Sequence, residues 1–405
     1  MVKRVKLFVN EFDRNLWVLA LGWFVGAMGF AVAIPFISIY FSRELGLSLF
    51  EIGLFFGAMA LIRSTFQLIG GEIADRIQRR YLLVHTQIIR GIAFAGMAIA
   101  ILYDFGFWWI AFFLVINSIF GAVFHPSANA MVSDILPPEK RLDGYAITRS
   151  AGNLGWAVGP AIGGYMAGYS YGFLFVIASI ITIFSGVVFA LYLKTENSIT
   201  NNDKFRLKDL IAIKDDPNLA IHATLIFILY LVVAQLIATF SVYAVEIVGI
   251  SENQLGMIYT LNGLLVATMQ IPITKMLQHK TFTFQLSVGA FIYAIGYSVV
   301  GFVSSFAFFM IAIAIVTIGE MFMSPPSLAL TSRLAPEGRM GRYMGIFGFF
   351  VASGWSFGPM YGGFLLERYA GNPIIAWLLI SSLAIITGVG YYLFAKRLPK
   401  ELNLK

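Results

Sequence analysis

Ionisable side chains in the middle of long apolar segments are the residues of this chain that could do chemistry. Of its 21 Asp and Glu residues, only Glu320 falls near the middle of such a segment, and Arg63 and Arg90 lie deep in two others. If the segments cross a membrane, these charges are costly to bury and are functional candidates by default. Glu320 could exchange a proton as a cavity opens to either side, form a permanent ion pair, or bind a cationic substrate.

Three other polar residues within apolar segments are candidates. His125 precedes Pro126, so its ring could change charge near neutral pH or bind a backbone carbonyl that the proline leaves free. Arg149 and Asn153 lie on the fifth apolar segment. Arg149 is only about a turn and a half from the end of that segment, so its long side chain could also reach the membrane surface.

The composition is that of a helical membrane protein. Only 12% of the 405 residues are charged, against roughly 25% in an ordinary globular protein, and the mean hydropathy is +0.81. The apolar runs repeatedly reach the roughly 20 residues that cross a bilayer as a helix. Because hydrocarbon offers the backbone no hydrogen bonds, only helices or a closed barrel can span it, and the long, non-alternating runs favour helices. The sequence therefore predicts an all-α polytopic membrane protein.

Twelve transmembrane helices are predicted. Their approximate ranges are 15–41, 48–70, 81–102, 107–131, 145–168, 172–193, 219–245, 253–276, 282–303, 305–328, 343–366 and 373–395. The first run is too long for a cleaved signal segment, so it is predicted to remain as a transmembrane helix. All but five of the 28 Lys and Arg residues flank the spans on the side of the N-terminus. Since Lys and Arg are retained in the cytoplasm, we expect a multi-pass protein of the cell (inner) membrane with both termini cytoplasmic.

One polar segment divides the chain near its midpoint. The stretch from Lys194 to Asn218 holds five cations and five acids. It predicts a six-helix domain at 1–193, a cytoplasmic linker at 194–218 and a second six-helix domain at 219–405. Within the linker, Phe205 to Ile213 could form a short amphipathic helix on the membrane, or the whole linker could be a solvated tether.

The two halves of the sequence repeat. Residues that recur 198 positions later include Gly121, Pro138, Glu139, Arg141 and Tyr145, which match Gly319, Pro336, Glu337, Arg339 and Tyr343. A glycine–proline motif also recurs, as Gly155, Gly159, Pro160, Gly163 and Gly164 in the fifth span and Gly354, Gly358, Pro359, Gly362 and Gly363 in the eleventh. Glycines four residues apart allow close helix contact, and proline permits bending. The duplication predicts two pseudo-symmetric six-helix bundles around a central cavity.

A polar stretch between the second and third spans carries a family resemblance. Residues 71–80 read GEIADRIQRR and resemble the loop signature G-x-L-A-D-R-x-G-R-R of the major facilitator superfamily, with Gln78 in place of the second glycine. The positions that match are Gly71, Ile73, Ala74, Asp75, Arg76, Arg79 and Arg80. The resemblance implies that Asp75 contacts the start of the eleventh helix and that Arg79 pairs with Asp134, which ends the fourth. Such a latch would set the conformational equilibrium, or the charges would only fix the topology.

The drug/proton antiporter branch of that family is the most similar. The glycine motif of the fifth span resembles the branch's antiporter signature, although Ala146 stands at its leading glycine and the eleventh span has the fuller copy, which begins at Gly345. A motif present in both halves is explained either by antiport or by helix packing. Arg149 and Asn153 with the following glycine resemble an R-x-x-x-N-x-G pattern of drug exporters.

Other positions depart from the family pattern. Many relatives have an arginine in the fourth span where this chain has Asn117, and many proton-coupled relatives have an acid in the first span, where this chain has none. Proton coupling therefore falls to Glu320 or is absent. The resemblance also implies that the third span is peripheral, which favours a structural role for Arg90 and makes Arg63 the better cavity candidate.

Several function classes are disfavoured. The chain has no cysteine, and its four histidines show no metal-ligand spacing, so no metal or other cofactor is expected. It has no phosphate-binding glycine loop and no nucleophile–base pair, so it is not predicted to be an enzyme. The cations follow one membrane face, which argues against nucleic-acid binding. The resemblance implies a monomer in the lipid bilayer.

The function predicted is secondary active transport by alternating access, with protons driving the export of amphiphilic, drug-like small molecules. Met321 and Met323 beside Glu320 would suit loosely specified hydrophobic ligands. One alternative is a uniporter or importer of an organic anion that uses Arg63, Arg90 and Arg149, or a transporter of a lipid-like substrate. A remote alternative is a non-transporting membrane enzyme or sensor.

Overall fold

A computed structural model describes residues 12–137, 140–194, 216–336 and 340–403. Within these ranges twelve long helices follow one another and no strand occurs. They are α1 (Arg14–Arg43), α2 (Leu49–Arg76), α3 (Arg79–Leu102), α4 (Phe107–Ile135), α5 (Arg141–Ala167), α6 (Tyr171–Tyr192), α7 (Pro217–Val233), α8 (Glu252–Met276), α9 (Phe282–Gly301), α10 (Phe306–Leu334), α11 (Met340–Arg368) and α12 (Pro373–Arg397). A short helix, α13 (Lys400–Asn403), ends the described chain.

The predicted all-helical membrane fold is confirmed. Among the described residues, ten helices are long and apolar enough to cross a membrane. The other two, α5 and α11, are as long and carry the glycine–proline motif. The proposed amphipathic helix in the linker lies outside the described residues.

Two elements differ from the predicted ranges. α2 continues to Arg76 and α3 begins at Arg79, so the turn between them contains only Ile77 and Gln78. A helix bonds its own backbone, so the polar residues of this stretch can extend both helices beyond the apolar spans. The seventh span is interrupted after Val233 by a 3₁₀ turn (Ala234–Leu236) and ends in a π-helical turn (Tyr243–Ile247).

A glutamine explains where the seventh span changes geometry. The side-chain amide of Gln235 donates to the carbonyl oxygens of Leu231 and Gly358, each at 2.7 Å. A polar side chain that bonds a helix carbonyl competes with the regular backbone ladder, and departures from that ladder have such local causes. The sequence predicts one continuous helix here, because the stretch is mostly apolar and Gln235 alone does not indicate an interruption.

The chain divides into two compact units, each of which packs mainly within itself. Unit 1 contains Met1–Phe36 and Ile62–Asn202, and unit 2 contains Ile37–Leu61 and Asp203–Lys405. The end of α1 and the start of α2 therefore pack with the second half of the chain. The division into 1–193, 194–218 and 219–405 stays a prediction, since most of that linker lies outside the described residues.

Helix packing repeats in the two units. In unit 1, α3 packs on α4 and α6, and in unit 2, α9 packs on α10 and α12. The glycines of α5 face α1: a Cβ atom at Gly155 would lie 2.6 Å from the carbonyl oxygen of Phe24, and one at Gly163 would overlap the carbonyl of Val32. The same close contact is made between α11 and α7, where a Cβ atom at Gly358 would lie 2.8 Å from the carbonyl oxygen of Leu231. Both copies of the motif therefore serve close helix contact.

Candidate functional site

Glu320 lies at the middle of α10, where it faces α8 within unit 2. The side-chain amide of Asn262 on α8 donates to the Glu320 Oε2 atom at 3.3 Å and to the hydroxyl of Thr317 at 2.8 Å. Thr317 is one turn before Glu320, and its own hydroxyl donates to the carbonyl of Ile313 at 2.6 Å. The amide group thus orients the carboxyl group from a neighbouring helix, as expected for a buried charge that must be hydrogen-bonded.

Tyrosines of one neighbouring helix lie near this carboxyl group. Tyr293 and Tyr297 on α9 are close enough to Glu320 to feel its charge, and Tyr230 on α7 is close to Tyr293. The two α9 rings stack at 6.0 Å between centroids. Tyr297 is 1% exposed, and its hydroxyl has no hydrogen-bond partner in the described part of the chain. A buried, unpartnered hydroxyl near a carboxyl group is an additional donor for a proton path or for a ligand.

The two methionines beside Glu320 do not line a ligand site, contrary to the expectation from their flexibility. Met321 is 2% exposed and packs with Ile273 and Leu277, and Met323 is 3% exposed and fills the space beside Gly289. Met321 points about 100° away from Glu320 around the helix, and Met323 is covered by the packing of α9 on α10.

A group of buried cations lies in unit 1. Arg90 on α3 is 6% exposed, donates from NH1 to the Gln87 Oε1 atom at 2.9 Å, and places its guanidinium 5.3 Å from the centre of the Phe30 ring. Gln87 in turn donates to Ser185, which donates to the carbonyl oxygen of Gly22 at 2.6 Å. This chain of bonds connects α3, α6 and α1. Arg90 therefore faces the inside of the unit although its helix was expected to be peripheral.

Arg63 and His125 complete what we call the cationic cluster, which consists of Arg63, Arg90 and His125. Arg63 on α2 is partly exposed, and the two arginine charges are close enough to act on each other and on the His125 ring. The His125 ring contacts the Trp23 ring edge to face at 5.8 Å. Among the described residues, neither arginine forms an ion pair with a carboxylate.

Three partly exposed aromatic residues stand beside the cationic cluster, and we call them the aromatic wall: Trp23, Phe30 and Trp156. Trp23 contacts His125, Phe30 lies under the guanidinium of Arg90, and Trp156 on α5 contacts Phe30 at 5.9 Å between ring centroids. Positively charged and aromatic side chains therefore lie next to each other within unit 1.

The remaining polar candidates of the sequence have different surroundings. Asn117 on α4 is 1% exposed and donates to the backbone carbonyl of Arg90 at 3.2 Å, so it positions α3 rather than offering a charge. Its Oδ1 atom has no partner among the described residues. On α5, Arg149 is exposed and Asn153 is half-buried.

The start of α3 forms the ion pair that the resemblance implies. The buried Arg79 pairs through NH1 with Asp134 at the end of α4, and Arg80 donates to the carbonyl oxygen of Ala190 at 2.6 Å. The side chains of Gly71, Asp75 and Arg76 lie outside the described residues. A gating role for the motif stays a prediction.

We expect the Arg79–Asp134 pair to be energetically coupled. Arg79→Gln or Asp134→Asn alone leaves a partly buried charge without its partner, which we expect to cost about 1–3 kcal/mol, somewhat below the cost for a fully buried pair. The double variant should lose less than the sum of the two single variants. Thermal unfolding of the four proteins in detergent measures this; additive losses would show that the pair contributes nothing specific.

Sequence reasoning missed a second charged group, in unit 2. Arg43 at the end of α1 binds Glu246 through Nε at 3.0 Å and Glu252 through NH1 at 2.5 Å. Nearby, the carboxylate of Glu367 accepts from the backbone N–H of Phe50 at 3.3 Å. The acids are more than 200 positions from Arg43, so no local spacing could reveal the pairing. Asn262 escaped notice for the same reason, because only the packing of α8 on α10 brings it to Glu320.

Taken together, these features define a polytopic helical membrane transporter: duplicated bundles with charged and polar groups held at mid-helix. A family model described as the Major Facilitator Superfamily matches residues 19–359. The chain belongs to this superfamily, whose members are transporters and not enzymes.

Similar proteins span the whole chain. The multidrug resistance protein MdtH of Shigella sonnei is 22% identical over 96% of this chain and 97% of its own length. A Na⁺, Li⁺, K⁺/H⁺ antiporter of Planococcus maritimus is 24% identical over 96% of this chain and 98% of its own. A crystal structure of a POT family transporter in complex with 5-aminolevulinic acid has a TM-score of 0.82 at 14% identity, over 95% of this chain and 96% of that one. At that identity the last likeness shows the fold alone.

Proposed function

We propose that this protein exports amphiphilic small molecules in exchange for protons, with Glu320 as the proton carrier. The observation that carries the proposal is the site around Glu320: a carboxyl group at mid-helix, partly exposed, held by Asn262 and close to Tyr293 and Tyr297. Burial disfavours a charged carboxylate, whereas contact with water or with the Asn262 amide favours it. A carboxyl group between these two conditions can take up a proton in one conformation and release it in another.

The relatives support exchange as the coupling mode. One is named a multidrug resistance protein and another a cation/proton antiporter. The repeated glycine contacts of α5 on α1 and of α11 on α7 leave each pair of helices tightly joined. Tightly joined helices move as rigid bodies, which suits alternating access. We place both termini in the cytoplasm and the monomer in the inner membrane, from the distribution of Lys and Arg and from the family.

The experiment that tests the function uses the purified protein in liposomes with an imposed pH gradient and a pH-sensitive dye inside. Lipophilic cations, neutral drugs and organic anions are added in turn. We expect at least one class to cause proton movement that liposomes without protein do not show. Substrate transport that is independent of the gradient would contradict proton coupling and leave a uniporter.

An organic-anion uniporter or importer is the second candidate, and the cationic cluster of unit 1 is the observation that favours it. A uniporter needs no titratable carrier, so Glu320→Gln should leave its flux unchanged or higher. An antiporter should instead lose proton-driven transport with this substitution. Glu320→Gln in the same liposomes therefore separates the two candidates.

A further inference from the structure

The membrane interior of unit 1 has an imbalance of charge. The cationic cluster contributes two arginines and a histidine. The acids of α1 to α6, among them Glu51 and Asp134, all lie near helix ends. Arg90 is nine-tenths buried, and its Nε atom has no hydrogen-bond partner among the described residues. The partners it has are the neutral amide of Gln87 and the ring of Phe30.

Unpaired cations in a low-dielectric interior are expensive. Each arginine keeps its proton inside a protein, so it cannot escape the cost by becoming neutral. Like charges within reach of each other add to that cost. Such groups persist in membrane proteins where they line a substrate path or bind an opposite charge. No carboxylate of the described residues of unit 1 lies at this depth, so a bound anion would supply the compensating charge.

We infer that the cationic cluster is a binding site for the anionic group of the transported molecule. The guanidinium of Arg63 is partly exposed and forms no hydrogen bond or ion pair with any described residue, so its donors are open to a ligand. Arg90 adds a buried Nε–H group that has no partner among the described residues, and the neutral ring of His125 adds one N–H donor. Planar guanidinium groups bind carboxylates and phosphates through paired hydrogen bonds. The ligand class is therefore an organic carboxylate or phosphate.

The aromatic wall indicates the chemistry of the uncharged part of the ligand. Trp23, Phe30 and Trp156 offer partly exposed ring faces and edges directly beside the cations. Aromatic surface favours an apolar, ring-containing body over a sugar, which would need many hydrogen-bonding groups. The substrate is thus an amphiphilic anion with an aromatic or hydrocarbon body. This inference rests on the proposed export function and specifies its substrate class.

Direct binding tests the inference without any gradient. The purified protein in phosphatidylcholine nanodiscs is titrated by calorimetry with four probes that share one ring system: 2-naphthoate, 2-naphthyl phosphate, 2-naphthylmethanol and 2-naphthylmethylammonium. Empty nanodiscs give the partition background. We expect one or both anions to bind at least about tenfold more tightly than the alcohol and the ammonium compound, as loss of a charge-assisted hydrogen bond implies. Equal binding of all four probes would overturn the inference.

Three variants assign the binding to the cluster. Arg63→Gln should weaken anion binding about tenfold and leave the binding of the alcohol unchanged, and Arg63→Lys should restore most of the loss. Arg14→Gln, which removes an equal charge at the exposed start of α1, is the matched control. Arg63 is suited to this test because it has few contacts to lose, whereas Arg90→Gln could also disturb packing. An equal loss in Arg14→Gln, or no loss in Arg63→Gln, would overturn the assignment.

Two further comparisons separate the possible sources of the anion and the two proposals. Phosphatidylglycerol is added to the nanodiscs as an anionic lipid that could compete with naphthoate for the cluster. If lipid headgroups occupy the site, this lipid should weaken naphthoate binding to the wild type more than to Arg63→Gln. An equal effect on both proteins points to a free solute as the ligand. Anion binding without proton movement in liposomes would contradict proton-coupled export only. Proton movement driven by cations, without anion binding, would contradict this inference only.

Discussion

Replacing Glu320 with glutamine is expected to abolish substrate-driven proton movement in liposomes. In the wild type, the Asn262 amide donates a hydrogen bond to the Glu320 carboxyl group at 3.3 Å. Glutamine has nearly the same size, and its side-chain oxygen can still accept this hydrogen bond. It cannot bind or release a proton in the accessible pH range. The dye signal should therefore fall to that of liposomes without protein, while helix packing around α10 is retained. Because Glu320 is the proposed proton carrier, its loss should abolish proton movement and not only weaken it.

The controls for this variant separate carrier loss from unfolding. Glu401→Gln removes a carboxyl group from the exposed face of α13 and should leave proton movement unchanged. Asn262→Ala removes the amide that orients the carboxyl group and should weaken coupling without abolishing it, because the carrier itself remains. The unfolding temperature of Glu320→Gln in detergent should stay near that of the wild type. If a folded Glu320→Gln protein still moves protons, Glu320 is not the proton carrier.

The helical fold could be predicted from the sequence because membrane spans are marked by length and hydropathy alone. Eleven of the twelve predicted ranges correspond to one long helix each, and the seventh corresponds to α7 and the short helical turns that follow it. The repeat that relates Gly155 to Gly354 reappears as matching contacts on α1 and α7. Hydrocarbon forces the backbone to bond within each span, so the local pattern fixes the element. The ends were less predictable, since the polar stretch after Gly71 continues the helices instead of forming a longer turn.

The candidate site could be predicted only in part. Glu320, Arg63 and Arg90 stand out in sequence because a charge in an apolar run is a strong local signal. Their partners do not: Asn262 and Gln87 are ordinary polar residues until packing brings them to the charges. The same holds for the direction of a side chain. Arg90 was expected to be structural and peripheral, and the bonds through Gln87 to Ser185 do hold α3 in place, yet its guanidinium faces Phe30 and the cluster.

The glycine motif gives the largest expected loss of stability. At Gly163, a Cβ atom would overlap the backbone carbonyl of Val32 and lie 2.6 Å from the Phe36 ring. A backbone carbonyl in a helix cannot give way as a flexible side chain does, so Gly163→Ala must push α5 away from α1. We expect this single methyl group to cost about 3 kcal/mol, at the upper end of overpacking effects. Thermal unfolding in detergent, followed by tryptophan fluorescence, measures the loss.

A second glycine predicts the opposite sign for the same substitution. At Gly348 on α11, no atom of the described residues lies within 4 Å of a Cβ position, and alanine is favoured over glycine in a helix by roughly 1 kcal/mol. Gly348→Ala should therefore leave the unfolding temperature unchanged or raise it, while Gly358→Ala, in the repeated motif of the same helix, should lower it as Gly163→Ala does. If Gly163→Ala and Gly358→Ala unfold like the wild type but lose transport, the motif acts in conformational change and not in close packing. A loss of stability in both copies instead explains why the motif is duplicated without reference to the direction of transport.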